Sequence, residues 1–180
     1  MKKNTLKLTY AAVCLALALV LPFLTAQLQQ LGQALSPMHI PVLLCGMICG
    51  WPYGLAVGFL TPLLRSVLFG MPAIYPQAVA MAFELAVYGL VSGLLYARFA
   101  KKDLKAIYIT LITAMLAGRL VWGLASLALY GLAGNAFTFQ MFLAGAFVNA
   151  VPGILLHLIL IPAIMFGLER SGALRKERRE

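Results

Sequence analysis

Apolar runs of roughly twenty residues alternate with short polar, Gly-rich or Pro-rich breaks along almost the whole chain. A helix needs about 20 apolar residues to cross about 30 Å of hydrocarbon, so each run is a candidate membrane span. Gly and Pro clusters favour turns between helices. The pattern therefore predicts six helices. Their approximate ranges are 8–25, 38–50, 53–69, 77–99, 106–130 and 139–168.

Two features of the breaks determine this count. The apolar region 40–69 is long for one helix, and the segment 50–54 (Gly-Trp-Pro-Tyr-Gly) divides it into two shorter helices joined by a turn. An uncharged polar loop, 27–37, follows the first helix, and a turn with two prolines, 70–76, follows the third.

Composition supports the membrane interpretation. The chain has 180 residues, of which 63% are hydrophobic and only 11% are charged. Soluble domains have about 25% charged residues, and a disordered chain has far less apolar surface than this one. We therefore expect an all-α integral membrane protein, formed by one domain (1–180) that is a compact bundle of six transmembrane helices.

The positions of the charges predict an orientation. The 14 Lys and Arg residues fall mostly into three clusters, near the N-terminus, at 98–105 and in a basic tail at 170–180. Basic clusters that flank apolar spans mark the cytoplasmic side. With six spans across the plasma membrane, all three clusters lie on its cytoplasmic side. Both termini are therefore predicted to be cytoplasmic. A cleaved signal peptide is the alternative for 1–25, but its removal would spoil this agreement.

Several function classes find no support in the sequence. Nucleic-acid binding requires a basic face with polar or aromatic readers, which is missing here. The sequence contains no Walker A motif, HExxH motif, paired carboxylates or Ser/His/Asp arrangement. Cys14, Cys45 and Cys49 lie within apolar spans without nearby His or acidic residues, so they are interpreted as packing residues. We expect neither a cofactor nor a metal, and no enzymatic activity.

Three charged residues inside the apolar runs require an explanation, because charges in hydrocarbon are costly. Glu84 lies in the fourth helix, Arg119 near the middle of the fifth, and Arg65 about one turn from the outer end of the third. They could line a polar pocket. Alternatively, Glu84 and Arg119 form an ion pair that only locks the bundle, and Arg65 extends to the lipid headgroups.

Helical spacing places further polar and aromatic groups beside these charges. Two stripes result, on the fourth and fifth helices: Gln77, Met81, Glu84, Tyr88; and Met115, Arg119, Trp122, Ser126. In the last helix, Asn149 is close to Pro152 and Gly153, which can open the backbone. His39 begins the second helix and is placed at the pocket mouth, whereas His157 is assigned to packing. The candidate binding residues are Arg119, Glu84, Asn149, Trp122, Tyr88, His39 and Arg65.

These features resemble a known family. Six helices in a short chain, cytoplasmic termini and the pair Ala12 and Ala16 in the first helix are similar to the substrate-specific S component of an energy-coupling factor (ECF) vitamin transporter. The segment MHIPVLLCGMICGWPYGLAVGFLTPLLRS resembles the second and third helices of the group that includes folate and pantothenate S components.

The resemblance implies a function and partners. The protein would bind a vitamin or related micronutrient at its outer face, and the loop 27–37 would cap the pocket. Ala12 and Ala16 would dock on the transmembrane T subunit of an ABC-type importer. Two ATPase subunits on other chains would supply the energy of transport.

The charges favour an anionic ligand, because two arginines accompany one acid and an Arg fork matches a carboxylate. Among carboxylate vitamins, pantothenate is slightly favoured, since its hydroxyl and amide groups could use Asn149, Glu84 and Tyr88. Two other classes stay open. One is a structural or assembly bundle, or a small channel, without a vitamin ligand. The other is an intramembrane enzyme with Glu84 and His39 as acid–base groups.

Overall fold

The regular elements of the chain are all helical in the part that the computed structural model describes, residues 2–25 and 35–171. The prediction of an all-α protein is therefore confirmed for these residues. The helices are α1 (Lys2–Val20), α2 (His39–Cys49), α3 (Trp51–Phe69), α4 (Val79–Arg98), α5 (Leu104–Leu132), α6 (Phe139–Leu143) and α7 (Val151–Arg170). A 3₁₀ turn at Leu21–Thr25 extends α1, and irregular turns at Ile74–Ala78 and Ala144–Val148 precede α4 and α7.

The second and third helices meet at a single residue rather than at a five-residue break. Gly50 has φ +97°, a conformation that L side chains rarely adopt, and α3 begins directly at Trp51. Pro52 is tolerated because it lies in the first turn of α3, where backbone N–H groups lack helical acceptors. Gly50 therefore makes the turn, instead of forming a small-residue packing pair with Gly46.

Helix α4 lies at the centre of the bundle and packs against α2, α3 and α5. Close backbone approach makes this possible. A Cβ on Gly89 would overlap the backbone of Gly54, and a Cβ on Gly58 would overlap the backbone of Leu85. In lipid, where hydrophobic burial does not drive helices together, such close packing is a principal source of association.

The fifth helix is longer at both ends than the range 106–130 that the sequence predicted. Its start is fixed by Asp103, whose side chain accepts a hydrogen bond from the N–H of Ala106 at 2.9 Å. The basic connection before it is correspondingly short. There, Lys102 donates to the carbonyl of Tyr96 and lies 4.0 Å from the centre of the Tyr96 ring.

The range 139–168, predicted as one helix, is interrupted. Helix α6 continues into the irregular turn Ala144–Val148, and Asn149 and Ala150 form a turn before α7. Pro152 stands in the first turn of α7, a position where proline starts a helix rather than continuing one. The backbone therefore opens at Asn149, next to the Pro-Gly pair.

Helix α1 presents two different faces. Ala11 and Ala18 are buried within the bundle, whereas Ala12 and Ala16 are exposed together with Val13, Leu17 and Val20. Ala11 and Ala18 are seven residues apart and therefore lie on the same, inward stripe of the helix. Ala12 and Ala16 thus do not pack within the described bundle.

Within residues 2–25 and 35–171, five helical segments are long and apolar enough to cross a membrane if the turns within them are included. They are Asn4–Leu24, Trp51–Phe69, Ile74–Arg98, Leu104–Leu132 and Phe139–Arg170. Helix α2 is apolar but shorter, and its 11 residues extend only about 17 Å. The count of six spans and the cytoplasmic location of the termini stay predictions. The predicted loop 27–37, up to residue 34, and the basic tail from residue 172 onwards lie outside the described residues.

Replacing Gly89 with Ala tests the close packing of α4. The added methyl group would meet the backbone of Gly54, which cannot move away as a flexible side chain can. We expect a loss of about 1–3 kcal/mol in the free energy of unfolding, measured by chemical denaturation in detergent micelles. The control is Gly131→Ala in α5, where a Cβ meets nothing within 4 Å. Equal stability of the two variants would contradict this account of the core.

Candidate functional site

A cavity of about 400 Å³ lies at one end of the bundle. It is bounded by the ends of α1, α2 and α3, the first half of α4 and the second half of α5. The basic residues 98–105 belong to the other ends of α4 and α5. The cavity is lined by Pro22, Ser36, Pro37, Met38, His39, Arg65, Gly70, Met71, Pro72, Ala73, Gln77, Ala80, Met81, Glu84, Arg119, Trp122, Ser126, Tyr130, Gly145 and Asn149.

Glu84 and Arg119 form an ion pair at the wall of the cavity. Nη1 of Arg119 is 3.0 Å from Oε1 of Glu84, and both side chains are buried. Because α4 and α5 are neighbours, the two stripes predicted from helical spacing face each other. The pair balances two charges that would each be costly in hydrocarbon.

Tyr88 supports Glu84 from below the cavity. Its hydroxyl donates to Oε1 of Glu84 at 3.0 Å, and its ring is completely buried. A Cβ on Gly118 would overlap this ring, so a glycine on α5 makes room for it. Tyr88 is not among the residues that line the cavity. The structure therefore places it behind the carboxylate rather than at the position of a ligand.

Two histidines meet at the carbonyl oxygen of Ser36. Nδ1 of His39 is 3.1 Å and Nε2 of His157 is 3.3 Å from this oxygen, and the two rings are stacked with centroids 5.8 Å apart. His39 also approaches Glu84, with 3.7 Å between Nε2 and Oε1. Ser36 has a φ of +45°, which is uncommon for a residue with a side chain. The histidines thus hold the chain where it enters α2.

Arg65 faces the bundle rather than the surrounding medium. It is 5% exposed and lines the cavity. Its Nη1 donates to the carbonyl of Leu19 in α1 at 2.8 Å, and its guanidinium lies over the rings of Phe23 and Phe69. Among the described residues, no carboxylate pairs with Arg65.

Aromatic side chains form the cavity wall near α6. Trp122 stacks with Phe142, contacts Phe137 edge to face, and lies against Gly145, where a Cβ would meet its ring. Asn149 follows at the turn before α7 and is exposed, although it lines the cavity. This wall gives a ligand apolar contact area beside the charged pair.

Within the described residues, three buried polar atoms of cavity-lining side chains have no hydrogen-bond partner. They are Nε2 of His39, Nε of Arg119 and Oγ of Ser126. Buried polar atoms are almost always paired in folded proteins. These three atoms are covered by the protein, so they do not themselves form the surface of the cavity.

Six of the seven candidate binding residues line one cavity; the exception is Tyr88. Other lining residues were not singled out in the sequence, including Ser36, Tyr130 and the turn 70–73. His157, assigned to packing, also contacts Ser36 and His39. The exposed, uncharged character of the turn 70–73 could have indicated that turn, and Ser36 lies within the loop 27–37 that was predicted as a cap. Within 2–25 and 35–171, no three His, Cys, Asp or Glu side chains are placed to hold a metal ion.

The fold and the cavity together define a helical protein with apolar, membrane-length helices and a cavity at one end that is lined by charged, polar and apolar side chains. A model of the substrate-specific component of ECF transporters matches residues 6–168, nearly the whole chain. The protein therefore belongs to this family, and the resemblance to an ECF S component is confirmed. The more specific resemblance to the folate and pantothenate group stays a prediction. No curated protein and no solved structure matches the chain.

Membership of this family has direct consequences. The chain is a substrate-binding subunit of an ECF importer rather than an enzyme, and the family implies partnership with T and ATPase components. The family does not specify the substrate of this chain.

Replacing Glu84 with Gln tests the ion pair. It would leave the Arg119 cation buried without its partner, which costs about 3–5 kcal/mol. We therefore expect a large decrease in the free energy of unfolding of the ligand-free protein in detergent. The double variant Glu84→Gln with Arg119→Gln serves as the control. It is expected to lose less than the sum of the single variants, and strictly additive losses would contradict the pairing.

Proposed function

We propose that this chain captures a small carboxylate-bearing vitamin in the cavity, at the outer face of the plasma membrane, for uptake powered by separate T and ATPase subunits. The observation that carries the proposal is that one cavity is lined by the charged side chains of Arg65, Arg119 and Glu84 together with the ring of Trp122. A ligand with several polar groups and an apolar portion fits this arrangement.

The charges of the cavity support an anion. Among the lining residues, Arg65 and Arg119 are cationic and Glu84 is anionic, so one positive charge stays unbalanced with the histidines neutral. A ligand carboxylate would balance it and could accept two hydrogen bonds from one guanidinium. Neutral and cationic vitamins lack this interaction.

The size of the cavity favours a small ligand. Its volume of about 400 Å³ lies near the lower end of the range of about 300–1,000 Å³ for drug-sized ligands. Pantothenate is favoured because its carboxylate, amide and hydroxyl groups offer both acceptors and donors. Asn149 and Glu84 line the cavity and are available for such groups. Tyr88 would act indirectly, by holding Glu84.

The outer location follows from the basic residues at the opposite end. Arg98, Lys101, Lys102 and Lys105 surround the connection between α4 and α5, and the positive-inside rule places such a cluster in the cytoplasm. The cavity would then open to the outside. The predicted cap 27–37 would contribute to closing it, and Ser36, near its end, does line the cavity.

A titration with pantothenate and pantothenol tests the ligand class. The two molecules differ mainly at the carboxylate, which is an alcohol in pantothenol. Fluorescence of Trp122 at the cavity reports binding, whereas Trp51 lies at the far end of α3 and is exposed. We expect saturable quenching by pantothenate with about 10-fold or greater preference over pantothenol, as charged hydrogen bonds contribute about 1.5–3 kcal/mol.

Two asparagine variants locate the ligand. Asn149 and Asn135 are both exposed, but only Asn149 lines the cavity. Asn149→Ala is expected to weaken binding about fivefold, equivalent to one hydrogen bond of about 1 kcal/mol, and Asn135→Ala to leave it unchanged. Binding of uncharged vitamins with equal affinity, or of no vitamin by a folded protein, would refute the proposal in favour of a structural bundle.

The exposed alanines of α1 support a docking role for this helix. Small residues allow another helix to approach closely, and Ala12 and Ala16 have no bundle neighbour that requires them to be small. The double variant Ala12→Leu with Ala16→Leu is expected to abolish co-purification with the T subunit while vitamin binding persists. Ala128→Leu, at an exposed position of α5, is the control. Normal assembly of the double variant would exclude this face as the docking site.

A further inference from the structure

Arg65 joins two parts of the protein that are otherwise separate, the cavity and helix α1. Its Nη1 binds the carbonyl of Leu19, one residue before α1 ends at Val20. The last carbonyls of a helix lack helical partners, and a cation is favourable near this negative end of the helix dipole. The side chain of Arg65, which belongs to α3, therefore caps the C-terminal end of α1.

Two aromatic rings fix the guanidinium in this position. Phe23, in the 3₁₀ turn after α1, lies 5.1 Å from the Arg65 guanidinium, and Phe69, at the end of α3, lies 5.6 Å from it. The two rings also contact each other edge to face, at 4.9 Å between centroids. The end of α1 is thus attached to the end of α3 through Arg65.

Helix α1 depends on such attachments because little of it is buried. In its most apolar part 17% of the residues are buried, compared with 50% for the span that contains α4. It packs against α2 and α3. Local opening of a helix end is easiest where few buried contacts hold it.

The same guanidinium reaches the cavity. Arg65 lines it together with Pro22, which belongs to the turn after α1. A guanidinium has five N–H donors in a planar fork, and among the described residues the hydrogen bond of Arg65 is the one from Nη1 to the carbonyl of Leu19. The other N–H groups of Arg65 can donate hydrogen bonds to an anion while Nη1 stays bonded to the carbonyl of Leu19.

We propose that Arg65 couples occupancy of the cavity to the anchoring of α1, so that an anionic ligand holds the guanidinium in place and thereby fixes the end of α1 on α3. This coupling rests on the proposed function, since it requires an anion in the cavity. Coupling between two sites is reciprocal. A partner that binds α1 therefore changes the affinity of the protein for its ligand by a certain factor. The ligand changes the affinity of the protein for that partner by the same factor.

Amide hydrogen exchange of residues 19–24 in nanodiscs tests the coupling, with pantothenate and pantothenol as the probes. Saturating pantothenate is expected to slow exchange in this segment about fivefold or more, the lower range of typical coupling factors. Pantothenol, which lacks the charge, is expected to change it little. In Arg65→Gln, exchange should be faster without ligand and unaffected by saturating pantothenate.

Arg119→Gln is the matched control, because Arg119 lines the same cavity but does not contact α1. It should weaken binding, yet at saturation still slow exchange in residues 19–24. If Arg65→Gln does not fold, Phe69→Leu replaces it as the test variant. It removes one ring beside the guanidinium without removing the charge. We expect pantothenate to slow exchange in residues 19–24 less in this variant than in the native protein.

The outcomes separate the two proposals. Pantothenate binding without a change of exchange at residues 19–24 overturns the coupling and leaves the proposed function intact. An equal effect of ligand in native protein and in a folded, saturated Arg65→Gln also overturns it. Absence of pantothenate binding by folded protein overturns both, and the fluorescence titration detects that case by itself.

Discussion

The ion pair between Glu84 and Arg119 is the constraint around which the bundle is organised. Two opposite charges in an apolar interior must remain in contact, so α4 and α5 are fixed in register at this level. Tyr88 strengthens the pair with a hydrogen bond and requires Gly118 opposite its ring. The glycine contacts that bring α3 onto α4 then determine where Arg65 lies relative to the pair.

The cavity exists because these polar groups cannot be covered by apolar side chains. Arg65 and Arg119 both line the cavity and have guanidinium N–H groups beyond those bonded to Leu19 and Glu84. Close apolar packing at this end of the bundle would leave those groups without partners in a low-dielectric environment. An open volume allows water or a ligand to satisfy them. The charged pair thus has two roles, since it stabilises α4 against α5 and forms part of the wall. The sequence allowed two interpretations of these charges, the lining of a pocket or an ion pair that locks the bundle. The two interpretations are compatible.

The sequence predicted much of this site because the signals were local. Charges in apolar runs identified Glu84 and Arg119, and helical spacing placed Trp122 on the same stripe as Arg119. It could not predict the contact between His157 and Ser36, which are 121 residues apart, because no spacing rule connects distant segments. The orientation of Arg65 was undetermined for the same reason, since Leu19 lies 46 residues away. Tyr88 had the right spacing but lies one turn deeper than the cavity.

The distribution of packing divides the described chain into a closely packed part and a part that exposes much of its surface. Helices α2, α3 and α4 approach through glycines and carry most of the fixed geometry, whereas α1 and the segment α6–α7 expose much of their surface. The cavity is bounded by both kinds of element. Glu84 belongs to the rigid group, and Pro22, Gly145 and Asn149 belong to the loosely packed one. A ligand that contacts both must restrict the loose elements, because its binding energy depends on their positions. Arg65 is the side chain at which this restriction reaches α1, since it belongs to the closely packed α3 and caps a helix whose most apolar part is only 17% buried.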